Sequence, residues 1–163
     1  MATPKPQPSR AIEVIVSPLN NIPNPALQIA SGTLVELLED NIMVGDGTVD
    51  FIAIGLKAGD ILYVPAVTGA ATVTGVISSN SFSFNMPNNP LAPPTPLGAD
   101  YKLYNGADDN QGCVLYVGTG GSLVTTTAGG DVAIYANVPS GQFIPVQTIA
   151  VTGGLAENII ALW

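Results

Sequence analysis

The chain has no histidine, one cysteine (Cys113) and one tryptophan (Trp163) in 163 residues. Without histidine there is no Ser-His-Asp or Cys-His nucleophilic system and no histidine metal site. One cysteine makes neither an intrachain disulfide nor a cysteine-rich zinc site. Cys113 lies between Gly112 and the apolar run Val114 to Val117, which suits a small buried hydrophobe at a strand start. An interchain bridge or a reactive thiol is its other reading. Positive charge is nearly as scarce: Lys5, Arg10, Lys57 and Lys102 stand against 12 acidic residues, for a net charge of −8. A sequence-independent grip on nucleic acid needs several Lys or Arg to neutralise phosphates. Neither nucleic acid nor an anionic membrane is therefore an expected partner. Charged residues of both signs make up only 10% of the chain, against roughly 25% in an average globular protein. Long apolar runs are missing too. None approaches the roughly 18 residues of a membrane span, and MATPKPQPSR at the start has no apolar core, so no secretory signal is expected.

What is present is apolar and rich in turns. Hydrophobic residues make up 47%, with 18 Gly and 14 Pro, as many short strands joined by many turns require. The length suits one ordinary domain or two small ones. From Gly112 to Trp163 there is no Lys or Arg, and the acids are Asp131 and Glu157. Little of such a stretch can be freely solvated surface unless that surface faces another subunit. It reads as a packing module for an assembly.

Along the chain, residues 1–10 alternate Pro4, Pro6 and Pro8 with polar residues, which favours an extended arm. Such an arm is either a disordered tail or a strap laid on a neighbouring subunit, with Lys5 and Arg10 meeting acidic surface. Ala11 to Val16 is a strand candidate, and Pro18, Pro23 and Pro25 then forbid a helix. Leu34 to Leu38 is a strand or a single helical turn, because periodicity cannot decide over so few residues. Phe51 to Asp60 leads into a strand over Ile61 to Ala66. Further strands are expected over Ala71 to Ile77, Ser81 to Asn85, where Phe82 and Phe84 share one face, and Tyr101 to Tyr104. Pro87, Pro90, Pro93, Pro94 and Pro96 mark the loop before the last of these. Four or five strands in this region suit a small SH3-like barrel. After the polar joint Asn105 to Gln111, strands are expected near Cys113 to Val117, Ser122 to Thr126, Asp131 to Ala136, Ile144 to Ala150 and Asn158 to Trp163. Gly118 to Gly121 and Gly129-Gly130 are expected to supply positive-φ hairpin positions.

The order Leu115 to Gly118, Gly120-Gly121, Ser122 to Thr127, Val138 to Gly141, Ile144 to Val146 and Ile159 to Trp163 resembles a small β-module of tailed bacteriophages and related gene-transfer particles, the spike-base type. Ile15 to Pro23 resembles the strand and turn that precede it. The signature Phe51-x-x-x-Gly55-Leu56-x-x-Gly59-Asp60 resembles an inserted segment of phage structural proteins. The resemblance implies an all-β chain in three parts: an extended arm (1–10), a discontinuous jelly-roll-like β-sandwich (11–30 plus 106–163) and an inserted SH3-like barrel (31–105). Basic residues often found in the penultimate strand of the family are absent here.

The same resemblance implies a non-enzymatic virion protein: a capsid decoration or cement protein, assembled in the host cytoplasm and carried on the capsid surface. Expected partners are further copies of itself, as a homotrimer, and the major capsid protein or other virion proteins. A tail spike-base or head-fibre adaptor and a host-surface carbohydrate-binding module are the alternatives. Phe82, Phe84, Tyr101 and Tyr104 read as core and interface packing of a small barrel, with a sugar-binding face as their other reading. No catalytic, cofactor or metal residue is expected. The acidic pairs Asp46/Asp50 and Asp108/Asp109 read as turn residues, with a cation site as the other reading. Glu36, Glu39 and Asp40 read as a solvated edge rather than as paired catalytic carboxylates. The Gly118 to Gly121 run lacks the lysine and helix of a phosphate cradle.

Overall fold

Ser81–Asn85 shows how the side-chain pattern becomes structure. Its Phe82 and Phe84 are buried and its Ser81, Ser83 and Asn85 are not, because successive strand side chains point to opposite faces. The structure, a computed structural model, describes residues 8–17, 21–38, 41–67, 69–85, 98–106 and 111–163. The chain is all β: among the described residues the helical elements are two 3-10 turns, Pro25–Leu27 and Pro65–Val67.

Two units form, one from Ser17 to Asn110, the other from the chain up to Val16 together with Gln111–Trp163. Residues 17–30 and 106–110, expected in the sandwich, therefore belong to the barrel unit. The cause is strand pairing. Strand β2 (Gln28–Leu38) begins before the expected boundary, and its first half pairs with β7 (Asp100–Tyr104), Gln28 opposite Tyr104 and Ala30 opposite Leu103.

In the barrel unit β2 and β7 join β3 (Ile42–Gly45), β4 (Ile61–Val64), β5 (Gly69–Ser78) and β6 (Ser81–Asn85). They close in the order β2-β3-β6-β5-β4-β7, six strands where four or five were expected. The additional strand is β3, which pairs with β2 and β6. Leu34 to Leu38 is strand and not helical turn. The strand expected over Ile61 to Ala66 stops at Val64, where Pro65 opens a 3-10 turn. The barrel core holds Leu34, Met43, Phe51, Leu62, Phe82 and Leu103, with Phe51 edge-on to Phe82 at 4.9 Å between centroids.

The Phe51 to Asp60 signature has a direct physical account. Phe51 is fully buried in that core. Gly55 and Gly59 take φ of +72° and +97°, a region that side chains with a Cβ rarely enter. Asp60 is buried, and its carboxylate accepts from the Lys57 and Gly106 backbone N–H groups at 3.0 and 3.1 Å. It thereby ties the turn to the far end of the barrel sequence.

The sandwich unit contains β1 (Ala11–Glu13), β8 (Cys113–Thr119), β9 (Gly121–Thr127), β10 (Val132–Val138), β11 (Gln142–Gly154) and β12 (Glu157–Leu162). They form an antiparallel sheet in the order β1-β12-β8-β11-β9-β10. The long β11 serves two neighbours: Gln142 to Thr148 pair with β8, and Thr148 to Gly154 pair with β9. Pro145 sits inside the register shift between Ile144 and Thr148, where a proline costs no ladder bond. A bulged strand that changes partner is how one sheet bends into two layers.

Two expectations about glycine fail here. Strands β8 and β9 are not neighbours, so Gly118 to Gly121 is a corner between layers and not a hairpin. Of the named glycines only Gly130 has positive φ, at +88°. Gly118, Gly120 and Gly121 are needed for space, whereas Gly129 has room for a side chain. A Cβ on Gly120 would meet the Val138 carbonyl oxygen, one on Gly121 would lie 2.7 Å from the Leu155 carbonyl carbon, and one on Gly118 would lie 2.9 Å from Asn158.

Candidate interaction surface

In β8 every residue from Cys113 to Val117 is apolar, yet the two faces differ. Cys113, Leu115 and Val117 are buried, whereas Val114 and Tyr116 are half-buried. Strand β12 repeats this, with Ile159 and Ala161 buried and Ile160 and Leu162 half-buried. The pairing register lines up the outer residues. Phe143 lies opposite Tyr116, Tyr116 opposite Ile160, and Ile160 opposite Glu13, in a row across β11, β8, β12 and β1. A second row joins Val114, Leu162 and Ala11. Phe143 is 51% exposed, and its ring meets Tyr116 at 5.2 Å, tilted by 57°. The face is thus a continuous apolar strip in which Glu13 is the one charged member of the two rows. At its β1 end lies a groove of about 370 Å³ lined by Ala11, Ile12, Glu13, Asn158 and Ile160.

Ser9 and Arg10 meet Trp163 beside this strip. Ser9 N–H donates to the Trp163 carbonyl at 2.7 Å, and Trp163 N–H donates to the Arg10 carbonyl at 3.1 Å. Residues 8–10 are thus a hydrogen-bonded root, while residues 1–7 of the expected arm lie outside the described residues.

At the opposite edge of the sheet, Val132 and Ile134 of β10 are 66% and 74% exposed. Their cross-strand partners on β9 are Thr126 and Val124.

The residues singled out from sequence fall as follows. Phe82, Phe84, Tyr101 and Tyr104 are all buried, so they are packing residues and offer no sugar-stacking face. Cys113 is buried, and its thiol donates to the Thr148 carbonyl at 3.3 Å. Loss of water pushes the thiol pKa up to about 12, outweighing a backbone hydrogen bond at Leu162 that lowers it. It is neither reactive nor placed for an interchain bridge. Asp46 accepts from the Thr48 hydroxyl at 2.6 Å and the Thr48 N–H at 3.1 Å, bonds that hold its pKa below the ordinary 3.8. Asp50 accepts from the Ile52 and Ala53 N–H groups. Both are turn-forming carboxylates, and among the described residues no group of three acidic, His or Cys side chains gathers to hold a metal. Asp108 and Asp109 lie outside the described residues, as do Glu39 and Asp40; Glu36 is exposed on β2.

The sequence singled out the segment that holds most of the apolar strip but not its outward side chains. Where both faces of a strand are apolar, alternation carries no information. Among the described residues no helix is long and apolar enough to cross a membrane. Comparison with protein-family models, with curated proteins and with solved structures finds no match.

Proposed function

We propose that this chain is a non-enzymatic structural protein of a tailed-phage virion, a decoration or cement subunit on the capsid surface. The observation that carries the assembly role is the outer strip of the sandwich unit, Phe143-Tyr116-Ile160 with Val114 and Leu162 beside it. A chain of net charge −8 keeps this strip nearly free of charge. Burying it between copies releases water from apolar surface, and desolvates few charged groups, each of which would cost several kcal/mol if left unpaired. A standard interface takes about 800 Å² from each partner, roughly a tenth of the 8505 Å² accessible here. The virion setting rests on the resemblance of residues 115–163 to the phage module. Copies associate as a homotrimer through the strip, and the N-terminal arm, rooted at Trp163, engages the major capsid protein.

The test is particles prepared with and without the protein. Hundreds of copies per virion and DNA release at a lower temperature from depleted heads are expected. A dozen copies or fewer, with unchanged heat release and lost adsorption to host cells, would overturn the cement role in favour of a tail or fibre adaptor.

A further inference from the structure

The sheet of the sandwich unit has two ends, and they are built differently. At one end β1 is three residues long and carries Glu13, a short charged edge of the kind that resists further pairing. At the other end β10 is seven residues long, VAIYANV, with no charge and no proline. Its only irregularity is a register shift between Tyr135 and Val138, which leaves Val132 to Tyr135 regular.

The orientation of this edge follows from its hairpin. Thr127 N–H donates to the Asp131 carbonyl at 2.9 Å. In an antiparallel ladder the backbone groups of alternate residues turn to the same neighbour. Asp131, Ala133 and Tyr135 therefore bond towards β9, while the N–H and C=O of Val132 and Ile134 point away from it. Among the described residues no strand lies on that side. The same two residues expose their apolar side chains, so backbone bonding capacity and apolar surface coincide.

We infer that β10 is a homotypic docking edge, pairing antiparallel with β10 of a second copy about a two-fold axis at Ala133. In that register Val132 of each copy hydrogen-bonds with Ile134 of the other, and their β-branched side chains pack as cross-strand pairs. An antiparallel edge is self-complementary under two-fold symmetry, so one surface serves both partners.

The two-fold self-complementarity of the edge points to a second copy as the occupant, and charge permits it because β10 carries none. Two chains of −8 repel each other unless they meet where acids are absent. The nearest acid, Asp131, sits opposite Tyr135 of the partner in this register. The two Asp131 residues are then about 14 Å apart along and across the ladder, beyond the screening length of about 8 Å at physiological salt. The contact uses β10 and not the Tyr116 strip, so it stands or falls separately from the strip-mediated trimer.

Two variants test it. Ala133→Cys places the new thiols at a non-hydrogen-bonded pair whose Cα atoms are about 4.5 Å apart, within disulfide reach. The purified protein should form a covalent dimer on mild oxidation, while the wild type, with Cys113 buried, should not. Ile134→Lys changes an exposed side chain, so the far-ultraviolet spectrum should be unchanged. It should halve the native mass at matched concentration and raise the dissociation constant at least tenfold. Absence of the covalent dimer, or an unchanged native mass for Ile134→Lys, overturns the edge contact. A three-copy mass that this variant leaves intact would do so while sparing the strip reading. Cross-linking of Ala133→Cys only to another virion protein in particles would assign the edge to that protein, and would equally overturn pairing between copies.

Discussion

Tyr101 shows how a single buried polar atom links local packing to stability. Its side chain is among the largest fully buried ones, and its hydroxyl has no hydrogen-bond partner among the described residues. The hydroxyl fits because the chain opposite has no side chains: a Cβ on Gly32 would lie 2.6 Å from it, and one on Gly45 would lie 3.1 Å away. An unsatisfied buried hydroxyl costs about 1–3 kcal/mol. Tyr101→Phe should therefore raise stability by about 1 kcal/mol at neutral pH. Burial, with the negative charge of Asp46 adding to it, lifts the phenol from its ordinary 10.0 to about 12. The folded chain thus keeps the proton while the unfolded chain loses it near 10. The stabilisation from a neutral Tyr101 is complete below that value and is lost as pH rises towards 12. The Phe variant has no such loss, so its advantage in urea titrations should widen between pH 9 and pH 11. An advantage that stays constant over that range would contradict the assignment.

At the scale of elements, the corner between β8 and β9 decides how the sandwich layers connect. A Cβ at Gly120 would run into the Val138 carbonyl oxygen and lie 2.8 Å from the Ser140 nitrogen. The Gly120 N–H is also held by the Ser140 hydroxyl at 2.8 Å. Backbone cannot yield as a side chain can, so Gly120→Ala should destabilise by about 1–3 kcal/mol. Gly129→Ala, whose nearest contact would be an ordinary 3.6 Å, should change stability by less than about 0.5 kcal/mol. Equal denaturation midpoints for the two variants would refute the crowded corner. Such a corner is invisible in sequence, because a glycine kept for space looks the same as one kept for positive φ. Strands with strict alternation, such as Ser81–Asn85, were legible to the residue. Strand β3 was not, since Ile42-Met43-Val44-Gly45 is too short to show a period. The length of β11 was hidden by Pro145, which reads as a breaker until the bulge that accommodates it is seen. The division near residue 17 was hidden for another reason: it depends on which distant strand Gln28–Leu38 pairs with, and pairing is a non-local fact.

For the whole molecule, sparse charge and assembly belong to one argument. The net charge of −8 sets a repulsion between copies at neutral pH, and the apolar strip and β10 sit where few acids lie. Repulsion between exposed charges weakens as the Debye length shrinks from about 30 Å at 0.01 M salt to about 3 Å at 1 M. Apolar burial does not weaken over that range. Self-association should therefore tighten, by several-fold or more, when sodium chloride is raised between those limits at pH 7. An interface held by ion pairs responds in the opposite direction, since the same salt screens attraction. Sedimentation velocity over a salt series separates the two. Tightening supports burial of neutral β-surface by an acidic chain. Dissociation at high salt would mean that Lys5, Arg10, Lys57 or Lys102 carries the contact, and would remove the physical basis for assembly through the nearly uncharged segment from Gly112 to Trp163.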